Sequence, residues 1–230
     1  MDDNSVKVRL YIDSGTHVEK NIDNRIRSIK ANIGAPEVVF YEGDVSNFSK
    51  PAIRGNLSIL PVAPLLGAAV LVQIYLFVET FGRILSSVGG SSSGRDQDVV
   101  DELRESYDIG SIEVDMSLTG FVHENRLLFG GVNWLSGGLI IVYFFPFQPV
   151  AVAVLKTLIY LLLAGYVILL VFLAVVHEPR NRHFASKIIE HSGKYDQACL
   201  VTGGAHHAAV GRILQDESEI NVINPVPENP

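Results

Sequence analysis

The chain contains one cysteine, Cys199, so no internal disulfide framework can hold it together. A single thiol in a strand-like apolar run fits a reducing compartment. No sustained Lys or Arg run exists, and the formal net charge is -7. That balance excludes a general nucleic-acid binder, which needs a basic stripe to neutralise phosphates. The first residues, MDDNSVKVRLYID, are acidic and then strand-like, without the basic start and apolar stretch of a cleavable signal peptide. Charge is also missing from two long blocks. Leu57–Val78 has none, and Leu127–Val176 has Lys156 alone. The hydrophobic excess (48% of residues against 19% charged) is concentrated in these blocks, and the composition elsewhere is that of an ordinary globular protein.

Both blocks are membrane candidates by length. The first is interrupted by Pro61, Pro64 and Gln73 and closed by Glu79 and Arg83. The second breaks at Pro146-Phe147-Gln148-Pro149, which predicts two apolar helices over roughly 127–146 and 150–176, joined by a tight turn. The later one is long enough to cross a hydrocarbon core about 30 Å thick. A buried core hairpin is the alternative, but little other chain is available to cover it.

The remaining sequence alternates strand and helix signals. Val6–Ile12 has period two. Ile22, Ile26, Ile29 and Ile33 mark one helix face, closed by Gly34. A strand follows over Glu37–Glu42, which makes a β-α-β unit with a parallel crossover. Ser86–Gly94 (SSVGGSSSG) reads as a flexible loop, Asp98–Ser106 as a helix and Ser111–Met116 as a strand. Pro179 can open a helix through His191 that stops at Gly193. Ala198–Leu214 reads as strand, glycine turn and helix, with a short strand at Ile220–Ile223. The expected fold is α/β, a mixed or parallel sheet with flanking helices, interrupted by a transmembrane hairpin. Its parts are 1–56, an apolar segment at 57–85, 86–126, the hairpin at 127–176, and 177–230.

Two strand–loop–histidine–helix units stand out, RLYIDSGTHVEKNI and ACLVTGGAHHAAVG. Each puts a histidine, His17 or His206, just after a small-residue turn (Gly15 in one, Gly203 and Gly204 in the other) at the carboxyl end of a strand. In open α/β sheets that edge binds ligands. Two imidazoles and a carboxylate there could hold a divalent metal ion. Glu42 is the nearest carboxylate by topology, with Asp13 and Asp44 as rivals. His207 reads as a bystander, and His177, His183 and His191 as surface residues.

GTHV, EVVFYEGD, PRNRHFASKI and LVTGGAHHAAVGRIL, in that order, together resemble the TraB family, which includes PrgY and GumN proteins and to which the Tiki proteases are related. The resemblance covers about 1–50 and 95–225. It implies an α/β domain with a metal-dependent hydrolytic site, with His17 and His206 as metal-binding histidines and Glu42 as ligand or general base. Arg180 and Asn181 would be the polar pair at a helix start that stabilises an oxyanion. The first motif departs from the glycine-x-x-histidine pattern, since Ser14 stands at the glycine position.

If His17, Glu42 and His206 meet, the number of spans between them is even. The 127–176 hairpin supplies two, leaving 57–78 membrane-associated; the rivals are a four-span arrangement, or three spans with the site split and the family role lost. Arg126, Arg180 and Arg182 flank the hairpin and its turn is uncharged, which places the soluble domain in the cytoplasm. Arg180 follows Val176 by four residues, so substrates close to the membrane, peptides or lipid-associated molecules, are expected. The expected function is a membrane-anchored, metal-dependent hydrolase, a peptidase. The alternatives are a non-catalytic membrane protein that binds or sequesters a peptide signal, and a membrane scaffold.

Overall fold

The computed structural model describes residues 8–15, 22–43, 50–73, 96–144 and 149–225. His17, Asp44, the loop expected over 86–94 and most of the expected hairpin turn lie outside them. The chain divides into two units. One comprises Met1–Val45, Gly89–Asp115 and Glu178–Pro230, and the other Ser46–Val88 and Met116–His177.

The first unit is a parallel five-stranded sheet. Its strands are β1 (Val8–Gly15), β2 (Val38–Tyr41), β3 (Gly110–Glu113), β4 (Gln197–Gly203) and β5 (Ile220–Val222), in the spatial order β3-β2-β4-β1-β5. The expected β-α-β unit is present, but β1 and β2 do not pair. β4, from the far end of the sequence, lies between them and is parallel to both. Its Ala198-Cys199-Leu200-Val201 run is wholly buried, as befits a central parallel strand covered on both faces.

Alternation along the strands feeds two cores. On one face Val39, Cys199 and Val201 meet Ile29 and Ile33 of α1 (Ile22–Ile33). Val99, Val100 and Leu103 of α4 (Asp96–Tyr107) complete this core. On the other face Leu10, Ile12, Phe40 and Leu200 meet Phe184 and Ile188 of a long helix, and Val210 and Leu214 of the helix that follows β4. Burial holds the Cys199 thiol well above its ordinary pKa, and the charge of Asp13 adds to this, so the thiol is inert. Gly34 has φ +72 and its N–H donates to the Lys30 carbonyl, ending α1 in the left-handed conformation expected of it.

The second unit contains α2 (Lys50–Ile59), α3 (Pro64–Gln73), α5 (Leu118–Glu124), α6 (Arg126–Phe144) and the apolar part of α7 (Val150–Ser192). Pro179 is inside α7 and opens no new helix. A mid-helix proline forfeits one hydrogen bond and crowds the carbonyl four residues earlier. The cost is local, and Phe184, Ala185 and Ile188 are buried in the next turns.

Among the described residues, α6 and α7 are long and apolar enough to cross a membrane, with only 11% and 22% of their most apolar windows buried. A core hairpin would be mostly covered, so the exposed apolar surface favours the membrane reading of these two helices. The described part of 57–78 is not one helix. A turn at Leu60–Ala63 separates α2 from α3, and each has 10 residues, against about 20 needed to span.

α3 is docked on α6 and α7 at specific points. The buried Asn133 side chain accepts from the Leu66 N–H at 2.8 Å and donates to the Phe129 carbonyl at 2.7 Å. It thus satisfies a first-turn amide that α3 leaves open. Phe121, Phe129 and Phe172 cluster beside it, with Phe129 edge-on to Phe172 at 5.4 Å. A Cβ on Gly165 would lie 2.6 Å from the Leu65 carbonyl oxygen, whereas one on Gly138 would meet nothing within 4 Å. We therefore expect Gly165→Ala to cost about 1–3 kcal/mol through overpacking and to lower the melting temperature in detergent. Gly138→Ala should leave it unchanged or raise it. Equal melting of the two variants would show that α3 does not approach Gly165.

Candidate functional site

Pairing of Tyr41 with Val201 places Glu42, the residue after β2, beside Thr202 at the carboxyl edge of β4. The Glu42 N–H continues the ladder to the Val201 carbonyl at 3.1 Å. One carboxylate oxygen, Oε2, accepts from Thr202 Oγ1 and from the Gly203 N–H, both at 3.0 Å. The other, Oε1, accepts from Arg180 Nη2 at 2.7 Å. Arg180 also grips Asp115, two residues beyond β3, in a side-on bidentate pair with Nε and Nη2 each at 2.6 Å. Planar guanidinium matches planar carboxylate in this arrangement, which lysine cannot reproduce.

The third face of the guanidinium approaches His206 on α8 (Gly204–Gln215), with Nη1 3.5 Å from Nε2. Arginine can only donate, so Nε2 is the bare nitrogen of the neutral ring. Nδ1 then carries the proton and donates to Asn181 Oδ1 at 2.5 Å. Phe184, four residues past Arg180 and so on the same side of α7, packs against both. Its ring centre is 5.1 Å from that of His206 and 5.4 Å from the guanidinium carbon.

The electrostatics follow from burial and pairing. Burial alone would raise the Glu42 pKa. The Arg180 charge, the Gly203 N–H and the Thr202 hydroxyl outweigh it and hold Glu42 below the ordinary range. Burial likewise works against the Arg180 charge, but Asp115 and Glu42 raise its pKa above the usual value. The side chains of Arg180, Glu42 and Asp115 are 13%, 8% and 10% exposed, so the attractions act in a low dielectric.

Of the residues singled out from sequence, Glu42, Arg180, Asn181, His206 and Gly203 converge here. Gly204 opens α8. Gly15 ends β1, where a Cβ would come within 2.6 Å of the Arg25 guanidinium. Gly203 has φ -66, so no backbone strain requires glycine there. Asp13, a rival carboxylate, is committed elsewhere. It pairs with Arg25 at 2.6 Å, and Arg25 also pairs with Asp96 at 2.8 Å. Arg180 and Asn181 sit within α7 and not at a helix start. His17 and Asp44 lie outside the described residues. Asp115, Thr202 and Phe184 were missed. Asp115 was legible in principle, as a carboxylate near the carboxyl end of the strand predicted over Ser111–Met116.

Among the described residues no three His, Cys, Asp or Glu side chains are arranged to hold a metal ion. His206 Nε2 and Glu42 Oε1 are 3.8 Å apart, close enough to share a cation, but Arg180 contacts both and supplies that positive charge itself. Among the described residues these two donors face a guanidinium, and His17, the other expected metal ligand, lies outside them. No protein-family model, curated protein or solved structure matches the chain.

The depressed Glu42 pKa carries a sign. A carboxylate lowered on folding stabilises the fold fully above its unfolded pKa, about 4.3, and that contribution is lost as pH falls through the lower folded value. Glu42→Gln should cost about 1–3 kcal/mol at neutral pH, with the gap to wild type narrowing below about pH 4. Denaturant melts of both proteins across pH 7 to 3 check this, and a gap that widens on acidification would contradict it.

Proposed function

We propose that the chain is a membrane-anchored hydrolase of the TraB type that cleaves peptide bonds, with its polar centre at the carboxyl edge of the sheet. The observation that carries this reading is the meeting of Glu42, Arg180, Asn181 and His206 in one buried cluster. These residues come from three distant stretches of the sequence, and nothing in core packing requires those residue types. In this reading His206, with Nδ1 held by Asn181, presents Nε2 for proton transfer. Arg180 supplies positive charge toward an oxyanion, and Glu42 and Asp115 hold Arg180 in place. α6 and the apolar part of α7, to Val176, form an inserted transmembrane hairpin, with the soluble domain in the cytoplasm. The four-residue spacing from Val176 to Arg180 supports substrates close to the bilayer.

One observation favours a second reading, a non-catalytic protein that binds or sequesters a peptide signal. Glu42 is engaged at both oxygens and Asp115 is bound bidentate, so neither carboxylate is poised as a base.

The full chain in lipid nanodiscs, offered a mixed peptide library, separates the two. The hydrolase reading expects cleavage products, and a loss of about 10²–10⁴-fold in kcat/KM for His206→Ala in particles that still elute as wild type. Undiminished cleavage by His206→Ala would remove the cluster from the chemistry. Peptide retention without cleavage would select the binding reading.

A further inference from the structure

Next to the cluster, α8 presents a second histidine in a different environment. His207 follows His206 by one residue, about 100° around the helix, and points toward β1 and the chain after β5. Its Nε2 lies 3.1 Å from the backbone carbonyl oxygen of Asn224. A carbonyl can only accept, so Nε2 carries a proton, and in the neutral ring Nδ1 is then the bare nitrogen. The Ser14 hydroxyl is 2.7 Å from that nitrogen, and therefore donates to it.

The orienting group is itself held. The Asn224 side chain accepts from the Ile12 N–H at 2.9 Å and donates to the Ile12 carbonyl at 2.8 Å, as a strand residue would. The neighbouring Ile223 N–H bonds to the Leu10 carbonyl at 3.0 Å. Nucleophile, base and orienter are thus tied to the last residues of one strand. This is the arrangement by which a weak hydroxyl is activated for attack: a base within hydrogen-bond reach, its tautomer set by a third group. Ser14 and His207 are both partly exposed, whereas the His206 ring is buried.

Ser14 also belongs to the same row as the cluster. It pairs with Thr202, and Glu42 lies on the far side of Thr202. Ser14, Thr202 and Glu42 therefore cross adjacent strands, about 4.8 Å per step. Beside Ser14 stands the amino end of α8. Gly203 precedes it with no side-chain cap, and a Cβ on Gly204 would lie 4.0 Å from the Gly15 carbonyl oxygen. First-turn amides have no intrahelical partner and favour negative charge.

We propose that Ser14 is a covalent nucleophile activated by His207, so that the chain hydrolyses amide or ester carbonyls through an acyl-serine. This rests on the hydrolase reading and names its attacking group; it gives the proton transfers to His207 and the oxyanion to the first amides of α8, in place of His206 and Arg180. Ser14 Oγ forms a bond to the carbonyl carbon while its proton passes to His207 Nδ1. The carbonyl π electrons move to oxygen, beside the first amides of α8. Collapse breaks the bond to the leaving amine or alcohol, which takes the proton from Nδ1. Water then attacks the acyl carbon and gives its proton to Nδ1. Collapse releases the acid and returns the proton to Ser14 Oγ.

The test uses the full chain in nanodiscs, a fluorophosphonate probe with mass-spectrometric mapping, and the peptide library in parallel. The proposal expects one adduct per chain, on Ser14, with none after heat denaturation. Ser14→Ala should lose the adduct and peptide turnover together. His207→Gln, whose amide can still donate to the Asn224 carbonyl, should slow labelling about 10²–10⁴-fold while eluting as wild type, which keeps the test decisive if Ser14→Ala misfolds. Absence of a Ser14 adduct, or an equal labelling rate in His207→Gln, overturns the proposal. If peptide turnover persists in either case, the hydrolase reading stands without it. A His207-dependent Ser14 adduct without any peptide turnover supports the nucleophile and rejects peptides as its substrates.

Discussion

Arg180 holds the carboxyl edge of the sheet together. One guanidinium joins the ends of β2 and β3 through Glu42 and Asp115 and reaches α8 through His206. Glu42 passes the connection to β4 through Thr202 and Gly203. A buried charge without partners costs several kcal/mol, and carboxylates on two sides offset part of that cost. The cluster is therefore cooperative in a specific sense. Each member makes the burial of the others tolerable, and the edge keeps its shape only while all are present. The apolar layers set the sheet and the helices on it. The charged network sets how the strand ends and the start of α8 meet.

That division explains how two consecutive histidines differ so much. His206 is turned into the network, its ring against Phe184 and its proton toward Asn181. His207 is turned away from it, toward Ser14 and the Asn224 carbonyl. Their partners set opposite tautomers: Nδ1–H in the first, because a guanidinium only donates, and Nε2–H in the second, because a carbonyl only accepts. The bare nitrogens consequently face different strands, one the Glu42 side of β4 and the other the β1 side. Helices leave β4 on one face of the sheet and β1 on the other. Ligands collect in crevices at such reversals.

The second unit solves a different problem with similar means. Its helices expose apolar side chains on their outer surfaces, so burial of hydrophobic area cannot be the whole reason its helices adhere. Close approach at glycine and one satisfied asparagine act beside the buried cluster around Phe129 and Phe172. Gly165 admits the α3 backbone, and Asn133 completes its first turn. Small residues and interhelical hydrogen bonds are what hold helices together where the surroundings are as apolar as the side chains.

Much of this was legible in the residues. Isoleucines at helical spacing located α1 with its end at Gly34, alternation located the strands, and the uncharged blocks located α6 and α7. Glu42, Arg180, Asn181 and His206 were identifiable as a set, because strand ends and motif order carry local information. Three things were not. A local signal cannot say which strands pair, and β4, whose apolar run is buried, lies between β1 and β2. Pro179 reads as a helix start, yet α7 continues through it. Ser14 reads as a departure from a glycine pattern and His207 as a bystander, yet the two are hydrogen-bonded across 193 positions of sequence. By itself the sequence determined the elements, their apolar faces and the charged residues at the strand ends, since these depend on neighbours a few residues away. Only the tertiary structure decided strand order, the partners of each charge and the tautomer of each histidine, because those depend on which distant group supplies a donor or an acceptor at 2.5–3.5 Å.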